Sequence, residues 1–491
     1  MERILNLLID KYELTMNEVY IQNGQTDEYS YYDAYFRNIP FEAGYAITAG
    51  LDSIIDFVKN FRFDEEAIDY LRSLNNFSEE HLEYLRNFRF RGDIYAIPDG
   101  TPVFGNQPLL TIRANKIEAN LLETIILAYF NAQIKFATAT SRVVEAAGSI
   151  PVLEMGARRA DGPYAAIEAS KVAYMAGAAG TSNLAAGYLY GVPTSGTMAH
   201  SYVQDAIDEE LANDEYGAFL LFAKVWKGDA VFLLDTYDTI YSGVPNAIRV
   251  YKEFLEPNGY GLKGVRIDSG NLLELSIKVR KMLDEAGLVD TKIVISNGLD
   301  AADLKRLRAA QAPIDLIGLG DNIVSPKERV GVVYKLVGKE RAGAIIPRIK
   351  KSEDDFKTIN PGYKRVYRFF QNGTNLALGD VIAGFDEIID ANYFNNLFSL
   401  TEQARIEDFS VRVQELQVPI FINGELVYEA TTIEEKRRYC QEQIRFLPAD
   451  VRAIETPGEY PVVLTEQVEQ VKKRLIAEIT RGVEKVRKIA M

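Results

Sequence analysis

The sequence predicts an α/β fold: an irregular α/β barrel with a second, α+β domain built from both ends of the chain. Three observations support this prediction. The middle third repeats a unit in which a short apolar run ends in small polar residues and leads into a helical pattern. The polar clusters directly follow these runs, as they do on the site-bearing face of a barrel. Both flanks contain short strand-like runs separated by turn dipeptides.

The repeated units can be followed along the chain by their strand-like runs. The runs are IPVLEM at 150–155, DAVFLLD at 229–235, GVRID at 264–268, KIVIS at 292–296 and PIDLIGLG at 313–320, with VGVVYKLV from Val330 as a further candidate strand. Strands at this spacing need right-handed crossovers and form a parallel sheet. An open doubly wound sheet also fits, but we favour a barrel because an open sheet would gather its polar clusters near one switch point.

The expected domain boundaries follow from the same pattern. The barrel is predicted to occupy 135–344, and segments 1–134 and 345–440 are predicted to form the α+β domain. Residues 441–491 are predicted to form a C-terminal helical segment, because the tail carries apolar residues at helical spacing. Runs such as PDGTPVFGNQPLLTIRA and FINGELVYEA predict antiparallel β structure in the flanks.

Composition excludes several classes of protein. The 491 residues are 47% hydrophobic and 25% charged, which is ordinary globular composition with ample length for a large core. The formal net charge of −15 argues against nucleic-acid binding and against an anionic membrane surface. The uncharged stretch 172–204 is broken throughout by Gly, Ser, Thr, Asn and Pro, so we do not expect a membrane span. The single cysteine, Cys440, favours a reducing, cytoplasmic location.

The segment RIDSGN, from Arg266 to Asn271, is the most informative local motif. It places Asp268 at the end of a predicted strand and a Ser-Gly pair at the entry to a helix. We expect Ser269 to cap that helix and Gly270 to let backbone N–H groups approach a phosphate. Asp268 is then a candidate for ribose hydroxyls or for Mg²⁺. An Asp-Ser cap that only stabilises a turn fits this segment equally well.

Two further strand ends contain glycine, and a third contains adjacent arginines. Gly298 in ISNGLD, and Gly318 with Gly320 in GLGD, are candidate phosphate donors. GLGD lacks the third glycine of a dinucleotide-binding fingerprint, so a Rossmann fold is not predicted. Arg158 and Arg159 in GARRADGP are expected to point apart, one towards the site as an anion clamp and the other into a structural ion pair.

Histidine chemistry rests on one residue. Only two histidines occur, and His81 lies in a pattern typical of an exposed helix. His200 follows the uncharged stretch and precedes a helical pattern, where its imidazole could act as a nucleophile or general base at neutral pH. An ordinary core or capping histidine is the alternative, and no multi-histidine metal site can be built.

Ten motifs in order give the sequence a family resemblance. They are DKYELTM, YFRNIPFEAGYAITAGL, GDIYAIPDGTPV, LEMGARRADGP, GTSN, SGTMAHS, LLDTYDT, GVRIDSGN, KIVISNGLD and PIDLIGLGD. From Asp10 to about Arg368 the chain resembles the nicotinate phosphoribosyltransferase family of type II phosphoribosyltransferases. The resemblance implies transfer of phosphoribose from phosphoribosyl pyrophosphate to nicotinate, which gives nicotinate mononucleotide and pyrophosphate for NAD biosynthesis. It also implies Mg²⁺ as cofactor and ATP as co-substrate, coupled through phosphorylation of His200.

The resemblance further implies roles for individual residues. Asp235 and Asp268 are the carboxylates expected to face ribose and Mg²⁺, and Tyr12 is expected to stack on the pyridine ring from the neighbouring subunit. A homodimer with shared active sites follows. One of the two arginines is expected to approach nicotinate or pyrophosphate, and the glycines to approach the 5′-phosphate. The remaining predicted substrate contacts are Thr197, Arg266, Ser269 and Gly270.

The acid rather than the amide is the expected substrate. Relatives that use nicotinamide carry an Asp where this chain has Ser182, and a carboxylate there would repel nicotinate, whereas a hydroxyl can donate to it. Nicotinamide phosphoribosyl transfer is therefore the nearest alternative. A sugar-phosphate isomerase or aldolase on a barrel is another, although the candidate Schiff-base lysines, Lys224, Lys292 and Lys335, lie outside the matched loops.

Overall fold

The computed structural model describes residues 2–207, 214–351, 358–398 and 410–490. The chain forms two compact units, one from Met1–Lys135 with Glu328–Met491 and the other from Phe136–Lys327. This agrees with the predicted fold class, in which one domain is built from both chain ends. The second boundary lies at 327/328 rather than at the expected 344/345.

The unit built from the chain ends contains mainly antiparallel sheets. One sheet has the strand order Ala344–Pro347, Val333–Arg341, Tyr29–Tyr35, Leu110–Asn115, Asp93–Ala96, Val418–Ile422, Glu425–Leu426. Another has the order Val411–Glu415, Lys364–Gln371, Ala377–Gly384, Val462–Leu464, and a small one pairs Ala46–Ile47 with Pro102–Val103. The predicted antiparallel character of the flanks is therefore present, and in the described part of this unit the one parallel pair joins Val462–Leu464 to Ala377–Gly384.

The candidate strand from Val330 was assigned to the wrong sheet. Val333–Arg341 pairs antiparallel with Tyr29–Tyr35, so that Val333 lies opposite Tyr35 and Lys339 opposite Ser30. An apolar run predicts a strand but not its partner, and here the partner comes from the distant N-terminal segment.

The same unit is richer in helix than its turn-rich sequence suggests. Its α-helices are Lys11–Gln22, Leu51–Asn60, Glu65–Ser73, Glu79–Arg86, Lys116–Asn120, Ala391–Phe398, Ile433–Arg445 and Glu466–Ala490, and Glu123–Ala147 begins in this unit and ends in the other. The C-terminal helix was predicted. A separate 441–491 segment is not observed, because Ile433–Arg445 crosses its expected start and Val462–Leu464 pairs with Ala377–Gly384.

The second unit is a parallel sheet whose first and last long strands meet. Its strands are β1 (Val152–Glu154), β2 (Gly180–Thr181), β3 (Val231–Leu233), β4 (Gly264–Ile267), β5 (Lys292–Ser296) and β6 (Leu316–Leu319). They lie in the order β2, β1, β6, β5, β4, β3, and every pairing is parallel. Chain order is thus kept around a ring in which β6 returns to β1, as in a barrel. Among the described residues no ladder joins β2 to β3.

Helices connect these parallel strands. They are Pro163–Met175, Leu184–Tyr190, His200–Ala206, Glu215–Trp226, Val244–Val250, Leu272–Glu285, Ala301–Ala309 and Asp321–Val324. Val265, Ile267, Ile293 and Ile295 are fully buried along β4 and β5, as expected for a parallel sheet covered by helices. Strand β2 was not predicted, because two residues carry no periodicity. No helix in the described part of the chain is long and apolar enough to cross a bilayer.

Candidate active site

The carboxyl ends of the parallel strands line a cleft of about 520 Å³. Parallel strands place the loops that follow them at the same edge of the sheet, which is why widely separated motifs meet there. The predicted site residues in its lining are Arg158, Arg159, His200, Arg266, Asp268, Gly298, Gly318 and Gly320. The cleft therefore brings together the loops after β1, β4, β5 and β6 with the histidine.

His200 is the first residue of the helix His200–Ala206 and lies between two carboxylates. Its Nδ1 is 3.1 Å from Thr236 Oγ1, and its Nε2 is 3.8 Å from Asp235 Oδ1 and 3.7 Å from Asp268 Oδ2. The imidazole is oriented by the threonine and faces the carboxylates, while its side chain remains 39% exposed. Thr236 was missed from sequence, although its place directly after Asp235 was a usable signal.

Asp235 holds the loop that follows β4. Its side chain is 4% exposed, and its Oδ2 accepts hydrogen bonds from the Asp268 N–H at 3.1 Å and from Ser269 Oγ at 2.5 Å. Its Oδ1 is buried and has no hydrogen-bond partner among the described residues. Asp235 thus fixes the backbone at Asp268 with one oxygen and keeps the other for His200 or a cation.

The expected cap at Ser269 is wrong. Asn271 caps the helix Leu272–Glu285, accepting a hydrogen bond from the Glu274 N–H, while the Ser269 hydroxyl is turned towards Asp235. Gly270 adopts φ +81°, a left-handed conformation that favours glycine. The Ser-Gly pair therefore shapes the loop and leaves helix capping to the next residue.

Asp268 is the accessible carboxylate of the site. Its Oδ1 accepts a hydrogen bond from Ser296 Oγ at 2.5 Å, and its Oδ2 lies near His200. The side chain is 36% exposed, which leaves it able to contact a ligand. Among the described residues no group of three or more His, Cys, Asp or Glu side chains could hold a metal ion. A cation here would have only Asp235 and Asp268 as carboxylate ligands.

Arg266 is a partly buried cation beside these carboxylates. It donates to Thr197 Oγ1 at 2.9 Å and to the Met198 carbonyl at 3.0 Å, while its Nε is buried without a hydrogen-bond partner in the described part of the chain. Burial lowers the pKa of Arg266, and Asp268 and Asp235 oppose that shift. Arginine nonetheless stays protonated, so the cleft contains a fixed positive charge.

The glycine corners differ in what they can offer a phosphate. A Cβ on Gly156 would lie 2.8 Å from the Gly320 carbonyl, so the loops after β1 and β6 approach through glycine. A Cβ on Gly318 would lie 2.6 Å from Met155 Sδ. Gly298 faces open space, but its N–H donates to Asn297 Oδ1 at 2.7 Å. Backbone therefore approaches backbone at Gly156 and Gly320, Gly318 leaves space for the Met155 side chain, and the amide of Gly298 is already engaged.

The two adjacent arginines differ in their partners. Both are exposed, on the turn Ala157–Arg159. Arg159 Nε is 3.4 Å from Asp321 Oδ1, whereas Arg158 has no ion-pair partner among the described residues. Both arginines line the cleft, so the expectation that they point apart is not met, and which of them contacts substrate stays a prediction.

Ser182 and Tyr12, which were predicted for the site, do not line this cleft, and His81 is not on the surface as expected. Ser182 is exposed on the turn after β2, its N–H donating to the Glu154 carbonyl at 2.8 Å, and it does not line this cleft. Tyr12 belongs to the unit formed by the chain ends, and its side chain is 45% exposed. His81, expected on a surface, is fully buried with Nδ1 3.0 Å from Glu18 Oε2, and burial lowers its pKa.

Comparisons with known proteins show the family of the chain. Family models described as the N-terminal and C-terminal domains of nicotinate phosphoribosyltransferase match residues 7–131 and 363–472. A curated nicotinate phosphoribosyltransferase of Bacillus subtilis is 37% identical over 486 residues, covering 98% of this chain and 97% of its own length. That of Caenorhabditis elegans is 31% identical, covering 94% and 92%.

The fold comparison gives the same result. The crystal structure of human nicotinic acid phosphoribosyltransferase superposes with a TM-score of 0.81 at 26% identity, over 95% of this chain and 99% of the human chain. A nicotinate-nucleotide pyrophosphorylase from Pyrococcus furiosus, at 21% identity and a TM-score of 0.69, shares the fold. With relatives above 30% identity along nearly its whole length, the chain belongs to the nicotinate phosphoribosyltransferase family.

Proposed function

We propose that this protein transfers the phosphoribosyl group of phosphoribosyl pyrophosphate to the ring nitrogen of nicotinate, in an ATP-coupled reaction that supplies NAD biosynthesis. The nitrogen lone pair forms the new bond to C1 of the ribose as the bond from C1 to pyrophosphate breaks. No proton has to move, because the ring nitrogen of nicotinate is unprotonated at neutral pH. The products are nicotinate mononucleotide and pyrophosphate.

One observation carries this proposal. In this member of the family, the His200 Nε2 atom lies within 4 Å of a carboxylate oxygen of Asp235 and of Asp268. These groups lie at the strand ends, at a cleft that Arg266 also lines. Breaking the glycosidic bond creates positive character on the ribose and negative charge on the departing pyrophosphate. Fixed carboxylates and guanidinium groups stabilise such charges without reorganisation.

The cations of the cleft are suited to its anionic ligands. Arg266 and Arg158 both line the cleft. Among the described residues the Arg266 Nε has no hydrogen-bond partner and Arg158 has no ion-pair partner, so both retain donors for a carboxylate or a phosphate. We assign nicotinate to the more buried Arg266 and pyrophosphate to the exposed Arg158. Gly318 and Gly320 line the cleft without adding a side chain to it, and we assign the 5′-phosphate to this part of the lining.

The two carboxylates fit Mg²⁺. This ion prefers oxygen ligands and is usually held by one or two carboxylates together with phosphate and water. Asp268 lines the cleft, and Asp235 Oδ1 is buried without a partner among the described residues. Bound Mg²⁺ would neutralise part of the pyrophosphate charge. The hydrogen bond from Ser296 holds the carboxylate of Asp268 in place, and the hydrogen bond from the Asp268 N–H holds that of Asp235.

His200 is the proposed phosphate acceptor. Its imidazole is half-exposed at the cleft and oriented by Thr236, so one ring nitrogen can take the γ-phosphoryl group of ATP and release ADP. Water later hydrolyses the phosphohistidine to phosphate. The nearby carboxylates would repel a phosphorylated imidazole, so the stability of the phosphohistidine depends on how much negative charge the cleft carries.

The active assembly is proposed to be a cytoplasmic homodimer. The ring of Tyr12 is 45% exposed near the start of the helix Lys11–Gln22, where it is free to stack on a pyridine ring in the site of the partner subunit. Burial, Glu123 and Glu13 raise the pKa of Tyr12, so its hydroxyl stays neutral.

The cytoplasmic location is supported by Cys440. This cysteine is buried, and burial raises the pKa of its thiol to about 12, which suits a cysteine that remains reduced.

The test is a direct assay of the purified protein with nicotinate, phosphoribosyl pyrophosphate and Mg²⁺, with and without ATP. We expect nicotinate mononucleotide and pyrophosphate in equal amounts, with ATP raising the yield. Nicotinamide in place of nicotinate should give far less product. Absence of mononucleotide from nicotinate would overturn the proposal, and product from nicotinamide alone would replace it by the nearest alternative.

A further inference from the structure

We propose that Glu154 is a positioning residue that fixes both the turn carrying Ser182 and the loop carrying Arg158, and so sets the preference for nicotinate. The inference rests on the proposed function and on the role in distinguishing the acid from the amide that the family resemblance implies for Ser182. Glu154 ends strand β1, is fully buried and does not line the cleft.

The carboxylate of Glu154 is surrounded by donors. Its Oε1 accepts a hydrogen bond from the Gly156 N–H. Its Oε2 is 2.7 Å from Ser170 Oγ and 2.5 Å from Thr181 Oγ1. A buried carboxylate is costly unless such donors satisfy it, and charge-assisted hydrogen bonds of this kind are stronger than neutral ones. The side chain therefore ties the loop after β1 to the strand β2 that precedes the Ser182 turn.

The hydrogen bonds of Thr181 show that its hydroxyl is the donor in the contact with Glu154. Its Oγ1 accepts a hydrogen bond from the Asn183 N–H at 2.9 Å, so its single proton goes to Glu154. The Ser182 N–H donates to the Glu154 carbonyl at 2.8 Å. The side-chain amide of Asn183 also donates to Ser170 Oγ at 3.2 Å. Both neighbours of Ser182, and its own amide, are thus fastened directly or through one hydroxyl to the same residue.

The other end of the contact is equally specific. Gly156 begins the turn that carries Arg158, and a Cβ at 156 would collide with the Gly320 carbonyl. The Glu154 carboxylate holds the amide of this residue, so the arginine loop and the serine turn share one anchor. A displacement of about 1 Å in groups that bind substrate can reduce activity about 100-fold.

A purely structural role makes a different prediction. If Glu154 only stabilised the sheet, its loss would lower thermal stability and reduce the apparent kcat in proportion to the folded fraction, with both KM values unchanged. If it positions the Ser182 turn, Thr181→Val, which releases only that turn, raises the KM for nicotinate while the KM for phosphoribosyl pyrophosphate changes little. Glu154→Gln also releases the loop of Arg158, which we assign to pyrophosphate, so that variant should raise both KM values. The split between the two KM values separates the roles.

The experiment uses the full-length protein and a matched pair of variants at position 181. Thr181→Val removes the hydroxyl that donates to Glu154 and keeps the side-chain shape, whereas Thr181→Ser keeps the hydroxyl. Glu154→Gln replaces the carboxylate by an amide that meets only donors. We expect Thr181→Val and Glu154→Gln to raise the KM for nicotinate about tenfold, which corresponds to the loss of one good hydrogen bond. Both variants should also lower the ratio of kcat/KM for nicotinate to kcat/KM for nicotinamide about tenfold. Thr181→Ser should behave as the wild type.

The isosteric Thr181→Val variant keeps the test decisive even where Glu154→Gln does not fold. An unchanged KM for nicotinate in Thr181→Val, or an equal rise in the KM values for nicotinate and for phosphoribosyl pyrophosphate, would overturn the positioning role. An inactive wild type would instead sink the proposed function, so the two failures are distinguishable.

Discussion

Arg368 and Arg266 are buried cations in the two different units, and they are partnered in opposite ways. Arg368 is 1% exposed and forms a two-pronged contact with Asp380, from Nε to Oδ1 at 2.8 Å and from its terminal nitrogen to Oδ2 at 2.7 Å. It also donates to the Pro102 carbonyl. Arg266 reaches only a hydroxyl and a carbonyl, and its Nε has no partner among the described residues.

The difference shows what each guanidinium can still do. Burial opposes the charge on Arg368, but Asp380 outweighs it and raises the pKa above the usual value. Because Nε and a terminal nitrogen of Arg368 both donate to Asp380, these donors are not available to a ligand. Burial lowers the pKa of Arg266 because the nearby carboxylates only partly compensate, and a bound anion would complete its shell. We therefore expect Arg368 to govern stability and Arg266 to govern substrate binding.

The largest expected effect is at Arg368. Arg368→Met should lower the free energy of unfolding by about 3–5 kcal/mol, because it leaves the Asp380 charge buried and uncompensated. Calorimetric or denaturant unfolding would measure the loss, and kcat/KM per folded molecule should not change. The double variant Arg368→Met with Asp380→Leu removes both charges and should recover part of the stability. A stable single variant with impaired kinetics would reverse the comparison.

Arg266 should show the opposite profile. Arg266→Gln removes the charge beside the carboxylates, and kcat/KM for nicotinate should fall about 10²–10³-fold, the range seen when one preorganised donor is lost. Thermal unfolding should change little, because no ion pair is broken. Equal kinetic constants for the variant and the wild type would exclude Arg266 from substrate binding.

Substitutions at Ser182 test whether the charge at this position selects nicotinate as the substrate. Ser182→Asp should lower kcat/KM for nicotinate by roughly 30-fold, because like charges brought together cost a few kcal/mol. Ser182→Ala, which removes the hydroxyl without adding charge, is the control and should have a smaller effect. Unchanged nicotinate kinetics in Ser182→Asp would refute the selecting role of this position.

His200 should affect coupling more than transfer. His200→Asn removes the phosphate acceptor, and the ATP-dependent gain in kcat/KM, taken as about tenfold, should disappear while basal transfer persists. Incubation with ATP labelled in the γ-phosphate should label the wild type and leave the variant unlabelled. A variant that still responds to ATP would show that the phosphoryl group is accepted elsewhere.

The smallest effect concerns Glu13, in the same unit as Arg368. Burial raises the pKa of Glu13 to about 7, with Thr124 opposing and Glu123 adding to the shift. Because the folded-state pKa exceeds the unfolded value, this group stabilises the fold fully below about pH 4.3 and loses that contribution as pH rises to about 7. The melting temperature of Glu13→Gln should therefore gain on that of the wild type by a few degrees, about 2–4 °C, between pH 5 and pH 8. Parallel melting curves would contradict the shift.

The sequence was sufficient for features that depend on local pattern. The long parallel strands lie where their apolar runs are, with Lys292–Ser296 matching the KIVIS run, and the polar residues that follow them do converge. Convergence was predictable because parallel strands present all their carboxyl ends at one edge. Arg158 and Arg159 both line the cleft, and only the position of Asp321 decided that Arg159 is the one that forms an ion pair.

Contacts between distant segments were not predictable in the same way. Val333–Arg341 has the pattern of any apolar strand, and only its pairing with Tyr29–Tyr35 places it in the antiparallel sheet. Ser269 has the composition of a cap, yet Asp235 from the preceding strand end attracts its hydroxyl. Glu154 looked like the end of a strand, and three donors from separate segments make it an anchor.

The sequence by itself determined the α/β class, the family and the set of residue types at the strand ends, because these are written in periodicity and in motifs of adjacent residues. Only the tertiary structure decided which charges are satisfied and which remain available. Hydrogen-bond partners come from segments far apart in the chain, so the fully paired Arg368 and the partly unpaired Arg266 could not be told apart until both environments were folded.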